Sequence, residues 1–300
     1  MEQGVRSLFL INPKSGKMRL SAKQRLIAEV ANLSSSSVLV SSSPEHSGQA
    51  ARDAMLRGEV VVACGGDGLQ NIVARQAVET GGLMTVLPLG RGNDFAASLK
   101  INTANDTVLA LKNGITHHAR YVKVDFSNHS RITLTCAGVG LLSEAAFRAS
   151  KIPLLQGKLL YSVASLLSFI NLKCHKYQLV IDGQKTSQNN LIIAGAATEY
   201  TGGGIFIAPH ARQEPNLLNI LSAGAVNRLS AINLLNKAIS GKHLAHPKVK
   251  NSHFAQCQID SETKDFWSKL VYGDGEFLGE LPVILTLGEK PLRVLVPKDI

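Results

Sequence analysis

The first 125 residues alternate short apolar runs with amphipathic stretches of helical period. Residues 7–11, 38–40, 60–64, 84–87 and 121–124 are short runs rich in apolar residues and read as strands. Between them, residues 21–33 place Leu26, Ile27, Val30 and Leu33 on one helix face, and 47–56, 69–78 and 102–112 read as further helices. Strands alternating with helices in this way predict parallel βαβ units and an open α/β sheet, whose ligands sit outside the carboxyl ends of the strands.

After residue 126 the period shortens. Residues 131–137, 177–181, 191–196, 205–208, 217–221, 253–259, 271–272 and 283–287 read as strands separated by Gly, Asn or Pro, interrupted by one helical stretch over 157–170. This predicts a β-rich second domain over 127–289, following an α/β domain over 1–126. Residues 290–300, with their apolar run 293–296, are free to return to the first. The serines at 34–37 and 41–43 read as loop beside a strand.

Composition adds limits. Hydrophobic residues make up 45% and charged residues 18% of the 300, a globular balance. The longest apolar stretch, 159–170, is too short to span a bilayer, and no signal peptide is evident. Four dispersed cysteines without CxxC spacing argue against a disulfide framework or zinc ribbon and for a reducing cytoplasm. A net charge of +10 calls for an anionic partner: nucleotide phosphate, nucleic acid or an acidic membrane surface. Aromatics at 5%, with no recognition motif, disfavour nucleic acid.

Three predicted strand ends carry polar glycine turns. The first gives Asn12-Pro13-Lys14-Ser15-Gly16-Lys17, the second Gly65-Gly66-Asp67-Gly68, and the third Gly90-Arg91-Gly92-Asn93-Asp94. Glycines let a backbone approach phosphate closely and leave amide N–H groups free at a helix start. GxGxxG and GxxxxGK[ST] are both absent, which weakens dinucleotide and P-loop readings. Far downstream, Gly273-Asp274-Gly275-Glu276 sets two carboxylates on one side of the chain if extended, one to accept a proton and one to assist; a hairpin turn with solvated acids is the plain alternative. His117-His118 reads as loop or strand edge rather than a metal pair.

In order and spacing, NPKSGK, GGDG, PLGRGNDFA, GGGIFIAP and DGE followed by a proline resemble the diacylglycerol kinase-like lipid kinases, which include sphingosine kinases. The resemblance implies an N-terminal nucleotide-binding domain like that of NAD kinases, a C-terminal β-sandwich domain, and an active site in the cleft between them. It implies an ATP- and Mg2+-dependent kinase of a lipid such as diacylglycerol. By matching position, Asn12, Ser15, Ser41, Gly65, Gly66, Asp67, Gly68, Leu69, Arg91 and Asn93 fall on the nucleotide. Asp94 and Asp125 fall near magnesium, and Asp274, with Glu276 beside it, falls on the proton acceptor. Departures are Leu69 for threonine, Ile72 for glutamate, Arg91 for threonine or serine, Ala197 for asparagine, and Pro215 and Asn219 in a segment usually rich in aspartate. They keep open a catalytically degraded nucleotide- or lipid-binding regulator, or a kinase for a sphingoid or other lipid. The basic clusters Lys14, Lys17, Arg19, Lys23, Arg25 and Lys237, Lys242, Lys248, Lys250 suggest transient docking on an anionic membrane, or an ordinary solvated surface.

Overall fold

The structure is a computed structural model that describes residues 5–16, 18–31, 36–152, 155, 157–263 and 265–298. Lys17 and the serines at 34 and 35 lie outside the described residues. The chain forms two compact units, Met1–Ala119 with Glu289–Ile300, and Arg120–Gly288.

The first unit runs β1 (Ser7–Ile11), α1 (Leu20–Ala31), β2 (Ser36–Val40), α2 (Pro44–Leu56), β3 (Val60–Gly65), α3 (Asp67–Thr80), β4 (Leu83–Pro88), α4 (Asp94–Ser98), α5 (Ala104–Asn113) and β5 (Ile115–Ala119). β1 and β3 are buried at every position, which is why they read as continuous apolar runs rather than alternating ones. Helix starts are locally encoded. Ser43 caps α2 by accepting from His46 N with Pro44 following, and Thr103 and Asp106 form a reciprocal capping box on α5. Gly81 ends α3 in the left-handed region.

The second unit runs β6 (Val122–Phe126), β7 (Ser130–Thr133), β8 (Cys136–Gly140), α6 (Leu141–Ser150), α7 (Gly157–Ser168) with a 3₁₀ turn at Phe169–Asn171, β9 (His175–Ile181), β10 (Gln184–Ala196), β11 (Leu218–Gly224), α8 (Arg228–Ala238) with a 3₁₀ turn at Lys242–Ala245, β12 (Val249–Phe254), β13 (Gln256–Ser261), α9 (Phe266–Lys269), β14 (Leu270–Gly273), β15 (Glu276–Glu280) and β16 (Val283–Leu287). Its antiparallel sheet has the order β15-β14-β8-β10-β9-β13-β16-β6-β7, with β11 pairing β10 and β12. The 13-residue β10 pairs β9 along its first half and β8 and β11 along its second, so one long strand passes through two parts of a sandwich. Tyr177, Ile193, Val139, Leu218, Cys257, Ile259 and Leu285 fill its core.

The closing strand β17 (Leu292–Val296) returns to the first unit, giving the sheet order β2-β1-β3-β4-β17-β5. Neighbours are parallel except the final β17–β5 pair. Strand order reverses between β1 and β3, the switch point at which open α/β sheets bind ligands.

Several local expectations are corrected. Residues 122–124 belong to β6, which pairs with β16 and β7 in the antiparallel sheet; its burial alternates along the strand, and so short an apolar run does not tell the two sheet types apart. The run 131–137 is two strands broken at Leu134-Thr135, and 253–259 breaks at Ala255. Residues 205–208 form no strand: Gly202, Gly203 and Gly204 all have positive φ, and Ile205 makes only an isolated bridge to Thr201. Ser36 and Ser37 lie in β2 rather than in a loop, and α6, α8, α9, β5 and β15 are elements that the sequence pattern does not predict. His117 and His118 sit on β5, the exposed edge strand.

Candidate functional site

The three glycine turns end β1, β3 and β4, which are sheet neighbours, and they interlock backbone to backbone. A Cβ on Gly90 would stand 2.2 Å from Gly66 Cα, one on Gly16 2.2 Å from the Leu89 carbonyl oxygen, and one on Gly92 2.5 Å from Asp67 Oδ2. No side chain fits at these contacts, so the glycines are what let the loops meet at the switch point. Asn93, left-handed at φ 59, ties its own turn: Gly90 N donates to its Oδ1 at 2.9 Å, its Nδ2 donates to Gly90 O at 3.2 Å, and its N–H donates to Asp67 Oδ2 at 3.1 Å. The 14-residue α3 begins at Asp67, with Gly66 as an N-cap that offers no side chain. Its first N–H groups and its dipole therefore face this junction, the geometry that binds phosphate.

The first of these loops is built around a lysine. Lys23, in α1, is fully buried, and its ammonium donates to Asn12 O (3.0 Å), Pro13 O (3.2 Å), Ser15 O (2.6 Å) and Ser15 Oγ (3.0 Å). Burial lowers its pKa from the usual lysine value. Lys23 is thus an internal post for the Asn12–Ser15 turn, not the surface charge that its neighbours in sequence suggest. Asn12 Oδ1 accepts from Lys14 N at 2.9 Å, closing an Asx turn.

Other nucleotide-matched residues have local duties. The Ser41 hydroxyl is buried and donates to Ile11 O at 3.0 Å, stitching β2 to β1. Leu69, 3% exposed, packs on Gly65, where a Cβ would meet it at 2.9 Å. Ser15 Oγ donates to Asn12 O at 3.0 Å.

The chemistry of Mg2+, a hard ion that takes one or two carboxylates plus phosphate and water oxygens, can be tested against the residues present. Among the described residues no group of three or more Asp, Glu, His or Cys could hold a metal. Two carboxylates do converge: the position of a Gly92 Cβ lies 2.5 Å from Asp67 Oδ2 and 3.6 Å from Asp94 Oδ2, and Asp94 is buried. That pair fits a nucleotide-bound magnesium. Asp125 lies in the other unit, on β6, where it pairs with Lys123 at 2.9 Å and accepts from Ser130 Oγ at 2.6 Å.

In the second unit the Asp274-Gly275 turn joins β14 to β15 with both residues at positive φ, 50 and 80. This is the two-residue, type I′ arrangement that Asp-Gly favours. The segment is therefore not extended, but neither is Asp274 a solvated turn acid. Its Oδ2 accepts from Leu134 N at 2.6 Å, and its Oδ1 accepts from Thr135 N at 2.9 Å and Thr135 Oγ1 at 2.7 Å. The break between β7 and β8 exists where these amides turn from the ladder to the carboxylate. Thr135 Oγ1 also lies 3.2 Å from Thr201 Oγ1, and Cys136 Sγ 3.3 Å from the same hydroxyl, bringing in the GGG loop. Tyr161 of α7 closes the arrangement: a Cβ on Gly275 would stand 2.8 Å from its hydroxyl, and one on Gly202 3.3 Å from its ring. Thr135, Thr201 and Tyr161 carried no motif signal; only the fold collects them around Asp274.

Glu276, although solvent-exposed over much of its surface, has its carboxyl pKa raised first by desolvation and then by the charge of Asp274, with Arg131 pulling it down. A carboxyl raised above its usual 4.5 binds protons more tightly in the folded state, so native stability falls as pH rises through the window above 4.5. Glu276→Gln is expected to unfold at the same or a higher temperature than the native chain at neutral pH, the advantage vanishing in acid where Glu276 is protonated in both states. Thermal melts of the two proteins across that window measure it; a variant less stable at neutral pH than in acid, relative to the native chain, contradicts it.

Comparison with known proteins agrees with this architecture. The family model for the diacylglycerol kinase catalytic domain matches residues 6–124, and that for the YegS C-terminal NAD kinase beta sandwich-like domain matches 135–296, more than half of the chain. A diacylglycerol kinase of Staphylococcus carnosus is 24% identical over 302 residues, spanning 98% of this chain and 96% of its own. One from Mycobacterium tuberculosis is 25% identical over 244 residues, spanning 80% and 77%. A crystal structure of a diacylglycerol kinase from Bacillus anthracis superposes with a TM-score of 0.73 over 100% of this chain and 99% of that one, at 15% identity, and so supports the fold. With both domain models matched in order, the chain belongs to the diacylglycerol kinase-like family and is a lipid kinase, a phosphotransferase.

Proposed function

We propose that this kinase transfers the γ-phosphoryl group of ATP to the free hydroxyl of a diacylglycerol, with Asp274 as the base that takes the hydroxyl proton. The observation that carries the assignment is the anchoring of Asp274. Three donors fix its carboxylate on the second unit's turn with both oxygens as acceptors, so the group that would take the proton is held in one place. A lipid hydroxyl is a weak nucleophile at neutral pH, and a positioned base supplies roughly 10²–10⁴-fold. The acceptor is chosen by analogy with the relatives named diacylglycerol kinase.

In this reading the α3 N-terminus and the glycine junction bind the ATP phosphates, Asn12 and Ser15 line the first turn, and Arg91 adds charge at the third. Asp67 and Asp94 would hold a magnesium ion, which when bound neutralises charge on the transferring phosphoryl group. The protein's own part is to orient the phosphates, hold the carboxylate pair and accept the proton. Dependence on ATP agrees with a cytoplasmic location. No helix among the described residues is long and apolar enough to cross a membrane.

The test is incubation of the purified chain with γ-labelled ATP, magnesium and diacylglycerol in mixed micelles. Labelled phosphatidate that depends on the divalent ion is expected. Label transferred only to a sphingoid base would change the acceptor, and binding of ATP and lipid with no transfer to any lipid would favour the regulator.

A further inference from the structure

We infer that the outer faces of α7 and α8 form one docking surface for an anionic phospholipid bilayer, an inference that rests on the lipid kinase assignment. α7 is apolar on both sides. Its inner side buries Leu160 and Ala164 and sets Tyr161 against the Asp274-Gly275 turn. Its outer side repeats Leu159, Val163 and Leu166 at i, i+4 and i+7, and Ile170 in the following 3₁₀ turn continues the apolar surface. Leu159 is 61%, Leu166 43% and Ile170 59% exposed, where a surface helix ordinarily turns charged residues to water. α8 lies beside it: Arg228 Nη2 donates to Ile170 O at 2.7 Å, and α8 exposes Leu229 at 79% together with Ile232. A contiguous apolar patch on two adjacent helices marks an interaction surface.

The charge identifies the occupant. Residues 145–181, which contain α7, and 215–259, which contain α8, together hold ten Lys and Arg and no Asp or Glu. The rest of the chain holds 22 of each, so the whole net charge of +10 resides in the two segments bearing the exposed stripes. Arg148, Lys173 and Lys176 pair with Glu144, Asp265 and Glu262 outside these segments; apolar residues flanked by the remaining cations suit an interface of acyl chains and anionic headgroups. A second copy of the chain fits poorly, because it would bring two such positive faces together. The placement also suits the chemistry: the helix that lies on the bilayer is the one whose other side meets the turn carrying Asp274, so a lipid hydroxyl at headgroup level is delivered toward the carboxylate.

The test uses the full chain and a Leu166→Gln, Leu229→Gln double variant, both sites being exposed and outside the phosphate and Asp274 clusters. Sedimentation with phosphatidylcholine vesicles containing phosphatidylglycerol is expected to show binding by the native chain, weakening with salt and with removal of phosphatidylglycerol, and a loss of about tenfold or more in the variant. Phosphorylation of diacylglycerol embedded in those vesicles should fall by a similar factor, while phosphorylation of a short-chain diacylglycerol dispersed as monomers is unchanged. Native binding that the variant retains, absent native binding, a native dimer that the variant dissociates, or equal loss on dispersed substrate would each overturn the assignment. If the native chain binds vesicles and the variant does not, yet neither phosphorylates any diacylglycerol, the docking surface stands and the proposed acceptor falls.

Discussion

Replacing Asp274 by asparagine is expected to cut transfer from ATP to diacylglycerol by about 10²–10⁴-fold, the contribution of a positioned general base. Asparagine tolerates the left-handed conformation that position 274 adopts, so the hairpin turn survives. What changes is the donor count. The carboxylate accepts from Leu134 N and Thr135 N on its two oxygens, and an amide must turn its own NH2 group toward one of those N–H donors. A donor left unsatisfied costs about 1–3 kcal/mol, whereas the catalytic loss corresponds to about 2.7–5.5 kcal/mol of barrier. Chemistry therefore outweighs stability, and the two separate experimentally: initial rates with labelled ATP report the first, a calorimetric melt the second. Thr135→Val is the companion, since it removes one hydroxyl donor and leaves the carboxylate in place; its rate should fall by less than that of Asp274→Asn. A folded Asp274→Asn protein within a few fold of native activity would remove Asp274 from the proposed role.

Lys23→Met is the second large effect. The substitution keeps length and apolar stem but strips four donor contacts from the half-buried Asn12–Ser15 turn. Leaving its carbonyls short of a donor is expected to cost about 1–3 kcal/mol, seen as a lowered melting temperature. Because the same turn is assigned to the nucleotide phosphates, KM for ATP should rise about tenfold or more, corresponding to about 1.4 kcal/mol, with a smaller change in kcat. Lys14→Ala, which removes a charge from the same loop without touching the Lys23 contacts, should leave the melting temperature close to native. Equal effects of the two substitutions would show that the loop responds to net charge and not to the buried ammonium.

What could be read from the chain follows from range. Most of the α/β first unit was legible because its elements declare themselves locally: unbroken apolar runs for β1 and β3, buried at every position, Leu26-Ile27-Val30 for a helix face, and glycine turns at three strand ends; β5, exposed at four of its five positions, carries no such signal. The strand-to-strand order of the second unit was less legible. Leu134 and Thr135 sit inside an apolar run that looks continuous, and only the arrival of Asp274 from 140 positions downstream gives their amides a different partner and breaks the strand. Residues 205–208 read as a strand because Ile-Phe-Ile-Ala is an unbroken apolar run, but Ile205 and Ala208 are buried in a loop that follows three left-handed glycines. α8 exposes Leu229 and Ile232 beside Arg228, Asn233, Asn236 and Lys237, so apolar and polar residues share its outer face and blur the helical period.

Sequence alone determined the family, the two-part architecture and the residue types available for phosphate and proton chemistry, because motif order and hydrophobic period are properties of the chain itself. Tertiary structure decided the surroundings of the charges. It took Lys23 from the surface to the inside of a loop, bound Asp125 to Lys123 and Ser130, and gave Asp274 three donors. Burial and hydrogen-bond partners are supplied by segments distant in sequence, so the fate of a charged side chain is settled only when those segments meet.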